Sequence, residues 1–370
     1  MRILGLEPYF GGSHRAFLDG WSRCSRHDWT VLELPAYKWK WRMRHAAHTF
    51  AEQVAERLAG GERFDLLFCS DMLNLAEFYG LAPASLREIP SIAYFHENQL
   101  TYPVRCESER DYHFGYTNMT TALAASRVWF NSAFNRDSFL EALPGFLARM
   151  PDYQPLEAVD RIRAKSDVQP PGITFPLARS GRASGPLRIL WAARWEHDKN
   201  PAAFFEAMQH LKNDGVDFQL LVIGEQFRNI PDVFAAAKIA FAERIVRWGH
   251  QPGRADYESA LLDADVIVST ADHEFFGLSV VEAIAAGAYP LLPNRLAYPE
   301  LLSDCTPAWR NRFLYDGKVE QLARRLRELA EYAARDDLWG GDPQIGVRAM
   351  RRFDWSSRAA ELDQDLAAHM

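Results

Sequence analysis

Twice along this chain of 370 residues, short apolar runs end in a polar or glycine-bearing loop and give way to a helical stretch. The runs fall at 1–6, 29–34, 64–70, 90–99 and 128–132, and again at 187–192, 219–223, 245–248, 266–269 and 289–292. Apolar strands that alternate with helices predict parallel sheets covered on both faces. Residues 144–186 separate the two arrays. They are punctuated by proline, glycine and serine, as in Gln169-Pro-Pro-Gly172 and Ser180-Gly-Arg-Ala-Ser-Gly-Pro186, and predict a linker. The expected architecture is α/β, with Rossmann-like domains at 1–170 and 186–352 whose parallel sheets face a central cleft. A final helix, 353–370, is expected to pack back toward the first domain. Two cores also suit a chain too long for a single ordinary one.

Composition excludes several classes. Apolar residues make up 48% and charged residues 25%, the balance of a globular protein with substantial cores. No apolar run approaches the ~20 residues that span a bilayer. Met1-Arg-Ile-Leu-Gly-Leu6 runs directly into a strand without the pattern of an export signal. Cys24, Cys69, Cys106 and Cys305 are scattered at no metal-binding spacing and read as reduced thiols. A cytoplasmic protein without a membrane partner is expected. The net charge of −7 argues against a globally basic nucleic-acid binder and leaves room for a local basic patch.

The densest chemistry lies in Ser269-Thr-Ala-Asp-His-Glu-Phe-Phe-Gly-Leu-Ser-Val-Val-Glu-Ala-Ile-Ala-Ala-Gly287. It leaves a strand, and 279–286 reads as a helix with Gly287 as its C′ residue. Phe276, Gly277, Leu278 and Ser279 then stand at the helix N-terminus, where unpaired N–H groups and the positive dipole end seat a phosphate. Glu274 comes just before that seat, and Glu282 lies one turn inside the helix. Carboxylates that accept hydroxyl hydrogen bonds on either side of an anion match a sugar nucleotide. A ribose- or phosphate-binding turn of any doubly wound protein could carry the same spacing.

Other strand ends add to it. Gly11-Gly12 follow the first strand and admit a ligand to the backbone, with His14 at the start of a helix expected from about residue 15. His96 ends the strand Pro90-Ser-Ile-Ala-Tyr-Phe-His96 and is placed to meet a sugar hydroxyl or a leaving phosphate, or else is a satisfied structural histidine. In Ala193-Arg-Trp-Glu-His-Asp-Lys-Asn-Pro201, Arg194 and Lys199 suit a diphosphate, and Pro201 reads as the first residue of a helix. Gly224 allows close approach of a ligand, and the backbone around Gly249 and His250 could read a nucleobase edge. With the 269–287 stretch, the last three make four successive strand ends of the second array and describe one nucleotide laid along one sheet edge.

Ala36-Tyr-Lys-Trp-Lys-Trp-Arg-Met-Arg-His45 alternates Tyr37, Trp39 and Trp41 with Lys38, Lys40, Arg42 and Arg44. Cations neutralise phosphates and rings stack on unpaired bases, so nucleic-acid contact is one reading. An amphipathic segment with its rings buried beneath a charged face is the other.

Gly11-Gly12 with His14, His96, Arg194 with Lys199, and Glu274 and Glu282 with seven residues between them resemble the retaining glycosyltransferases of family four, which have the GT-B fold. More narrowly, Leu34-Pro-Ala-Tyr-Lys-Trp-Lys-Trp-Arg42, Phe95-His-Glu-Asn-Gln-Leu-Thr-Tyr-Pro103 and Phe130-Asn-Ser-Ala-Phe-Asn135 resemble the tRNA-queuosine mannosyltransferases, which move mannose from GDP-mannose to the queuosine base at the wobble position. The resemblance implies that Arg194 and Lys199 hold the donor diphosphate, Glu282 the ribose hydroxyls and Glu274 a hydroxyl of the donor sugar. Gly277 and Leu278 amides would lie nearby, and His96 would contact the sugar or help the leaving phosphate. Gly11, Gly12, His14, Gly224, Gly249, His250, Phe276 and Ser279 would complete the donor site. Lys38, Trp39, Lys40, Trp41, Arg42, Arg44, Glu97 and Asn98 would serve the tRNA acceptor. It also implies a reaction without metal, cofactor or protein nucleophile, in which arginine and lysine replace the cation. Two alternatives stay open: the same fold acting on a lipid, polysaccharide or small-molecule acceptor, and a two-domain binding protein that catalyses nothing. A dehydrogenase is disfavoured, because no Gly-x-Gly-x-x-Gly follows a strand.

Overall fold

The computed structural model describes residues 1–104, 110–176, 179, 181–227 and 229–368. Cys106, positions 177, 178 and 180 of the expected linker and residues 369–370 lie outside the described residues. The chain forms two compact units: Met1–Ile173 together with Trp355–Met370, and Thr174–Asp354.

In the first unit, β1 (Arg2–Phe10), β2 (Asp28–Pro35), β3 (Leu66–Ser70), β4 (Ser91–Phe95), β5 (Arg127–Phe130) and β6 (Ser166–Val168) pair in the order β2-β1-β3-β4-β5-β6. Every pairing is parallel. Successive residues of a strand face opposite sides of the sheet, and each side has its own core. Leu4, Leu67, Ala93 and Val128 belong to one, under the helix Trp39–Ala59. Ile3, Phe68, Tyr94 and Trp129 belong to the other, with Phe17 and Trp21 of the helix Gly12–Cys24.

That second core is completed by the helix Trp355–Ala368, which contributes Trp355, Ala359, Leu362 and Leu366 at helical spacing. Asp363 of this helix accepts from Trp21 Nε1 (2.9 Å), Ser25 Oγ (2.8 Å) and the Arg26 N–H (2.8 Å). Trp355 fills a notch where a Cβ on Gly20 or Gly172 would fall 2.1 or 2.4 Å from its ring, and its N–H donates to Ile173 O (3.1 Å).

Two sequence expectations need correction here. Much of 144–186 is not a linker: it holds the last turn of the helix Ala133–Leu147, the helix Glu157–Arg163 and β6. Pro144 stands inside that helix, where it has no N–H to donate, and its carbonyl accepts from the Ala148 N–H (2.9 Å). The first strand also runs on through Glu7 to Phe10, and the helix behind it starts at Gly12 and not near residue 15.

The second unit contains β7 (Leu187–Ala192), β8 (Phe218–Ile223), β9 (Ile245–Gly249), β10 (Val266–Val268), β11 (Tyr289–Pro293) and β12 (Leu314–Tyr315) in the order β12-β11-β10-β7-β8-β9, all parallel. The order runs outward from β7 in one direction and from β10 in the other, so the two neighbours mark the point where a doubly wound sheet binds ligands. In the first sheet the equivalent point lies between β1 and β3. Among the described residues no helix is long and apolar enough to cross a membrane.

Candidate active site

The loops after β7 and β10 bring Lys199 and Glu274 together. Asn200 adopts a left-handed conformation (φ 48°), caps the helix Pro201–Asn213 by accepting from the Ala203 N–H (3.2 Å), and leaves Pro201 at the first helical position as the sequence predicts. This sharp turn directs Lys199 inward. Its Nζ donates to His273 O (2.7 Å) and ion-pairs with Asp198 (3.0 Å) and Glu274 (3.3 Å). Thr270 ties the two loops by donating to Lys199 O (3.0 Å), and the Asp272 N–H donates to Asp198 O (2.8 Å).

Burial opposes both charges of the pair, and each charge rescues the other. The Glu274 carboxyl lies below its ordinary range despite burial, because Lys199, the Phe276 N–H (3.3 Å) and Arg194 favour its anion. Lys199 is held above its ordinary value in spite of burial by Glu274 and Asp198. The site thus presents a fixed cation beside a fixed anion at neutral pH. Lys199, Ser269, Glu274, Ser279 and Tyr298 line a depression here. Arg194 lies on its rim, half-exposed and 3.4 Å from Glu196.

Gly277 caps the helix Leu278–Ala285 at φ 94°, a conformation that favours glycine, and Gly287 ends it at φ 106°. The first N–H groups of this helix have no intrahelical partner. Ser279 spends its hydroxyl on Ala192 O (2.6 Å), which binds the helix start to the end of β7 and leaves only its backbone for an anion. Phe276 is buried edge-on against Phe353 (5.5 Å), so its ring serves packing and its N–H serves Glu274. Glu282 is buried one turn on, where it accepts from Arg254 (2.8 Å) and the Tyr257 hydroxyl (2.7 Å). Sequence reasoning missed both partners, which come from a helix (Arg254–Asp263) with no pattern of its own.

Two glycines have reasons other than a ligand. A Cβ on Gly224 would fall 1.7 Å from Ala193 O, so the room expected for a ligand is taken by the chain itself. A Cβ on Gly11 would meet Ala36 at 2.4 Å, whereas Gly12, at φ 52°, has open space around it. Of the pair, Gly12 is the one with room beside it. Gly249 (φ 86°) accepts from Gly224 N–H, and His250 beyond it is exposed.

In the first unit, His14 and His96 are both buried, with ring centroids 3.9 Å apart and a tilt of 33°. His14 Nδ1 donates to Glu7 Oε2 (3.2 Å), and Glu7 Oε1 accepts from Ser70 Oγ (3.0 Å) and the Tyr9 N–H (2.8 Å). The His96 N–H donates to Asp71 Oδ1 (2.9 Å), and Asn131 donates to His96 O (2.7 Å). Burial opposes the His14 charge, but Glu7 overcomes it and the imidazole is raised to about 9. Burial, reinforced by His14, pushes His96 well below its ordinary value. Burial raises Asp71 to about 8 although His14 pulls it down.

Glu7 and Asp71 carry this cluster, and neither is a site residue in the sequence reading. The signal is present there: an acid follows directly on the apolar run of each of two neighbouring strands. Glu7, His14 and His96 bring ligand-type atoms within 4.8 Å of one another. Both Glu7 oxygens are already bonded, to His14 on one side and to Ser70 and the Tyr9 N–H on the other, so the group presents no open carboxylate. The spacing Asp-x-Asp occurs at Asp263–Asp265 and Asp363–Asp365. Asp265 is committed to Arg179 (2.6 Å) and Arg182 (3.2 Å), and Asp363 to the C-terminal helix clasp.

The basic aromatic segment is not one continuous face. Residues 39–59 form a helix that turns Met43, Ala46, Ala47, Phe50 and Val54 inward, and Trp39 packs on Phe114 (5.0 Å). Lys40 and Arg44 also cover Phe114, and Arg42 donates to Pro35 O (2.9 Å). Tyr37 and Trp41 remain exposed at 64% and 62%, with Lys38 over the Tyr37 ring. The buried-ring reading therefore holds for Trp39, while Tyr37 and Trp41 stay open to solvent. Glu97 is half-buried and accepts from Gln99 (3.1 Å). Asn98 is a correction: it is fully buried, donates to Asn135 (2.9 Å) and accepts twice from Thr101, so it builds the turn and cannot reach an acceptor.

Comparison with known proteins gives two family matches. Residues 2–173 match the family described as tRNA-queuosine alpha-mannosyltransferase N-terminal, and residues 177–338 match glycosyl transferases group 1. The tRNA-queuosine alpha-mannosyltransferase of Drosophila melanogaster is 38% identical, over 81% of this chain and 81% of its own. Sucrose-phosphate synthase from Thermosynechococcus elongatus superposes with a TM-score of 0.69 at 15% identity, covering 100% of this chain and 99% of that one. Anabaena HepE in complex with UDP does so with 0.67 at 14%, covering 100% of both. At such identities the structural likeness shows the fold, which is GT-B. The likeness to the fly protein spans most of both chains and is far higher in identity, and on that ground the chain belongs to the tRNA-queuosine alpha-mannosyltransferase family of glycosyltransferases.

Proposed function

We propose that this enzyme moves mannose from GDP-mannose to the queuosine base of tRNA, with retention at the anomeric carbon and without a metal ion, in the cytoplasm. The observation that carries the reading is the buried Lys199–Glu274 pair beside the helix that starts at Gly277, at the reversal point of the second sheet. Lys199, Arg194 and the amides of Gly277 and Leu278 bind the diphosphate. Glu274 accepts from a hydroxyl of the sugar, and Glu282 retains capacity for ribose hydroxyls beside Arg254 and Tyr257. His96 meets the transferred sugar, and Tyr37 and Trp41 with Lys38 and Lys40 meet the tRNA.

The bond from the anomeric carbon to the diphosphate oxygen breaks, and a bond to an acceptor hydroxyl oxygen forms on the same face. The departing phosphate oxygen takes the acceptor proton, so GDP leaves protonated and no protein nucleophile takes part. Lys199 and Arg194 stabilise the charge that develops on the leaving group.

The test is turnover of GDP-mannose and of UDP-glucose, each with and without queuosine-containing tRNA and in the presence of EDTA, followed by mass spectrometry of the digested nucleosides. A queuosine nucleoside heavier by one hexose, with GDP-mannose only and unaffected by EDTA, is expected. Turnover that ignores tRNA refutes the acceptor, a product from UDP-glucose refutes the donor, and loss of product in EDTA refutes metal independence.

A further inference from the structure

The strongest unassigned feature is the buried cluster of the first unit. Among the described residues the hydrogen bonds of His96 run through its backbone, to Asp71 Oδ1 and from Asn131, which fixes where the ring starts but not its charge. The ring itself is held by other rings: His14 lies on one face at 3.9 Å, while Phe17 (5.4 Å, 86°) and Tyr94 (4.7 Å, 66°) meet it edge-on. His14 is held in turn. Glu7 is buried, and its two oxygens are divided between His14 on one side and Ser70 with the Tyr9 N–H on the other. The carboxylate therefore cannot swing away from the imidazole, and His14 has no route to a ligand through Nδ1.

The geometry points to Glu7–His14 as a positioning dyad: it holds a protonated imidazole close over His96, so that His96 meets the substrate as the neutral ring, able to accept a hydrogen bond from a sugar hydroxyl. His14 then acts through His96 and does not contact the donor. Charge repulsion across 3.9 Å is strong between two rings this deeply buried. The groups facing His14 are Glu7 from β1, Asp71 after β3, and Glu97 and His96 after β4. The charged group facing His96 is His14. The Tyr94 hydroxyl points elsewhere, donating to Gln169 O (3.0 Å). Two directions agree with the geometry: His14 is raised to about 9, while His96 is lowered by burial first and by His14 second.

This inference rests on the proposed contact between His96 and the transferred sugar, and the experiment separates the two. Imidazole nitrogens of the intact protein are followed by NMR across pH 4.5–9.5 in wild type, His14→Phe and Glu7→Gln. In wild type the His14 signal is expected to titrate near pH 9 and that of His96 well below the ordinary imidazole range. Both variants remove the charge facing His96 at neutral pH, one by deleting it and the other by letting burial strip it, so both should move His96 titration to higher pH. The acid limb of kcat/KM should move up with it. An unmoved His96 titration in both variants overturns the dyad, whatever happens to the rate. Glu7→Gln, which changes no volume, keeps the test valid if His14→Phe fails to fold. His96→Phe examines the underlying contact: full transfer activity in that variant sinks the sugar contact and leaves the NMR result standing.

Discussion

Replacing Lys199 by methionine removes the cation of a buried three-charge group and leaves Glu274 and Asp198 facing each other. The Lys199 side chain is 7% exposed and Glu274 25%, so water screens the lysine little and the glutamate partly. Breaking a buried pair by deleting one partner costs about 3–5 kcal/mol, and the part-exposed glutamate argues for the lower end, about 3 kcal/mol. In a unit of this size each kcal/mol is worth roughly 2–4 °C, so the melting temperature of the second unit should fall by about 6–12 °C. Calorimetry at pH 7 makes the measurement. Adding Glu274→Gln to Lys199→Met should return part of the loss, because the group left behind is then neutral. The pH dependence has a definite sign. Glu274 is depressed, so its contribution is present above its ordinary value and vanishes as pH falls through the lower folded one. Lys199 is raised, so its contribution is present below its ordinary value and vanishes as pH rises through the higher folded one. The gap between wild type and Lys199→Met should be widest near neutrality and close at both extremes. A loss under 2 °C at pH 7, or a gap that does not vary with pH, would refute the electrostatic account of this pair.

Further outcomes are expected. Glu282→Ala should weaken GDP binding by about 1–3 kcal/mol, roughly 5- to 150-fold, read by calorimetric titration; unchanged affinity removes the ribose role. Replacing Lys38, Lys40, Arg42 and Arg44 together should weaken tRNA binding and flatten its salt dependence by roughly 0.7–0.9 for each phosphate no longer neutralised, while donor hydrolysis is spared. An unchanged salt slope would make the segment purely structural. Trp355→Ala should destabilise the first unit by about 3–5 kcal/mol, and urea unfolding that leaves this unit unaffected would contradict the packing seen around Gly20 and Gly172.

The parts legible in the sequence are those that depend on local pattern. Apolar runs separated by helical stretches mark both sheets, and Asn200-Pro201 and Gly277 to Gly287 mark two helix ends correctly. What escapes is set by tertiary partners. Gly224 looks like a ligand glycine until Ala193 O is found against it. The alternation of rings and cations at 37–44 does not show which rings are buried, because the helix from Trp39 follows the 3.6-residue spacing of Met43, Ala46, Ala47 and Phe50. Asn98 looks reactive at a strand end, and only the positions of Thr101 and Asn135 show it to be buried with its amide oxygen already filled. Glu7 falls outside the expected strand 1–6 because an apolar run does not mark where the ordered backbone beyond it stops. The proline-marked stretch after residue 144 reads as a linker for a related reason, since turn residues do not show whether the segments they separate are packed.

The first unit is assembled from stretches at opposite ends of the chain, and this has a consequence for how the protein is made. One face of its sheet, with Trp21, Phe68, Tyr94 and Trp129, is finished only by Trp355, Leu362 and Leu366. A ribosome reaches those residues after the whole of Thr174–Asp354. At roughly 5–20 residues per second, the face stays open on the order of 10–40 s after Ile173 is made. By the end of that interval the second unit holds everything its own sheet requires and can fold first, reversing the usual amino-to-carboxyl order. The nascent chain is then a finished domain tethered to an aromatic surface that chaperones would recognise, and emergence of the helix Trp355–Ala368 is the step that covers it.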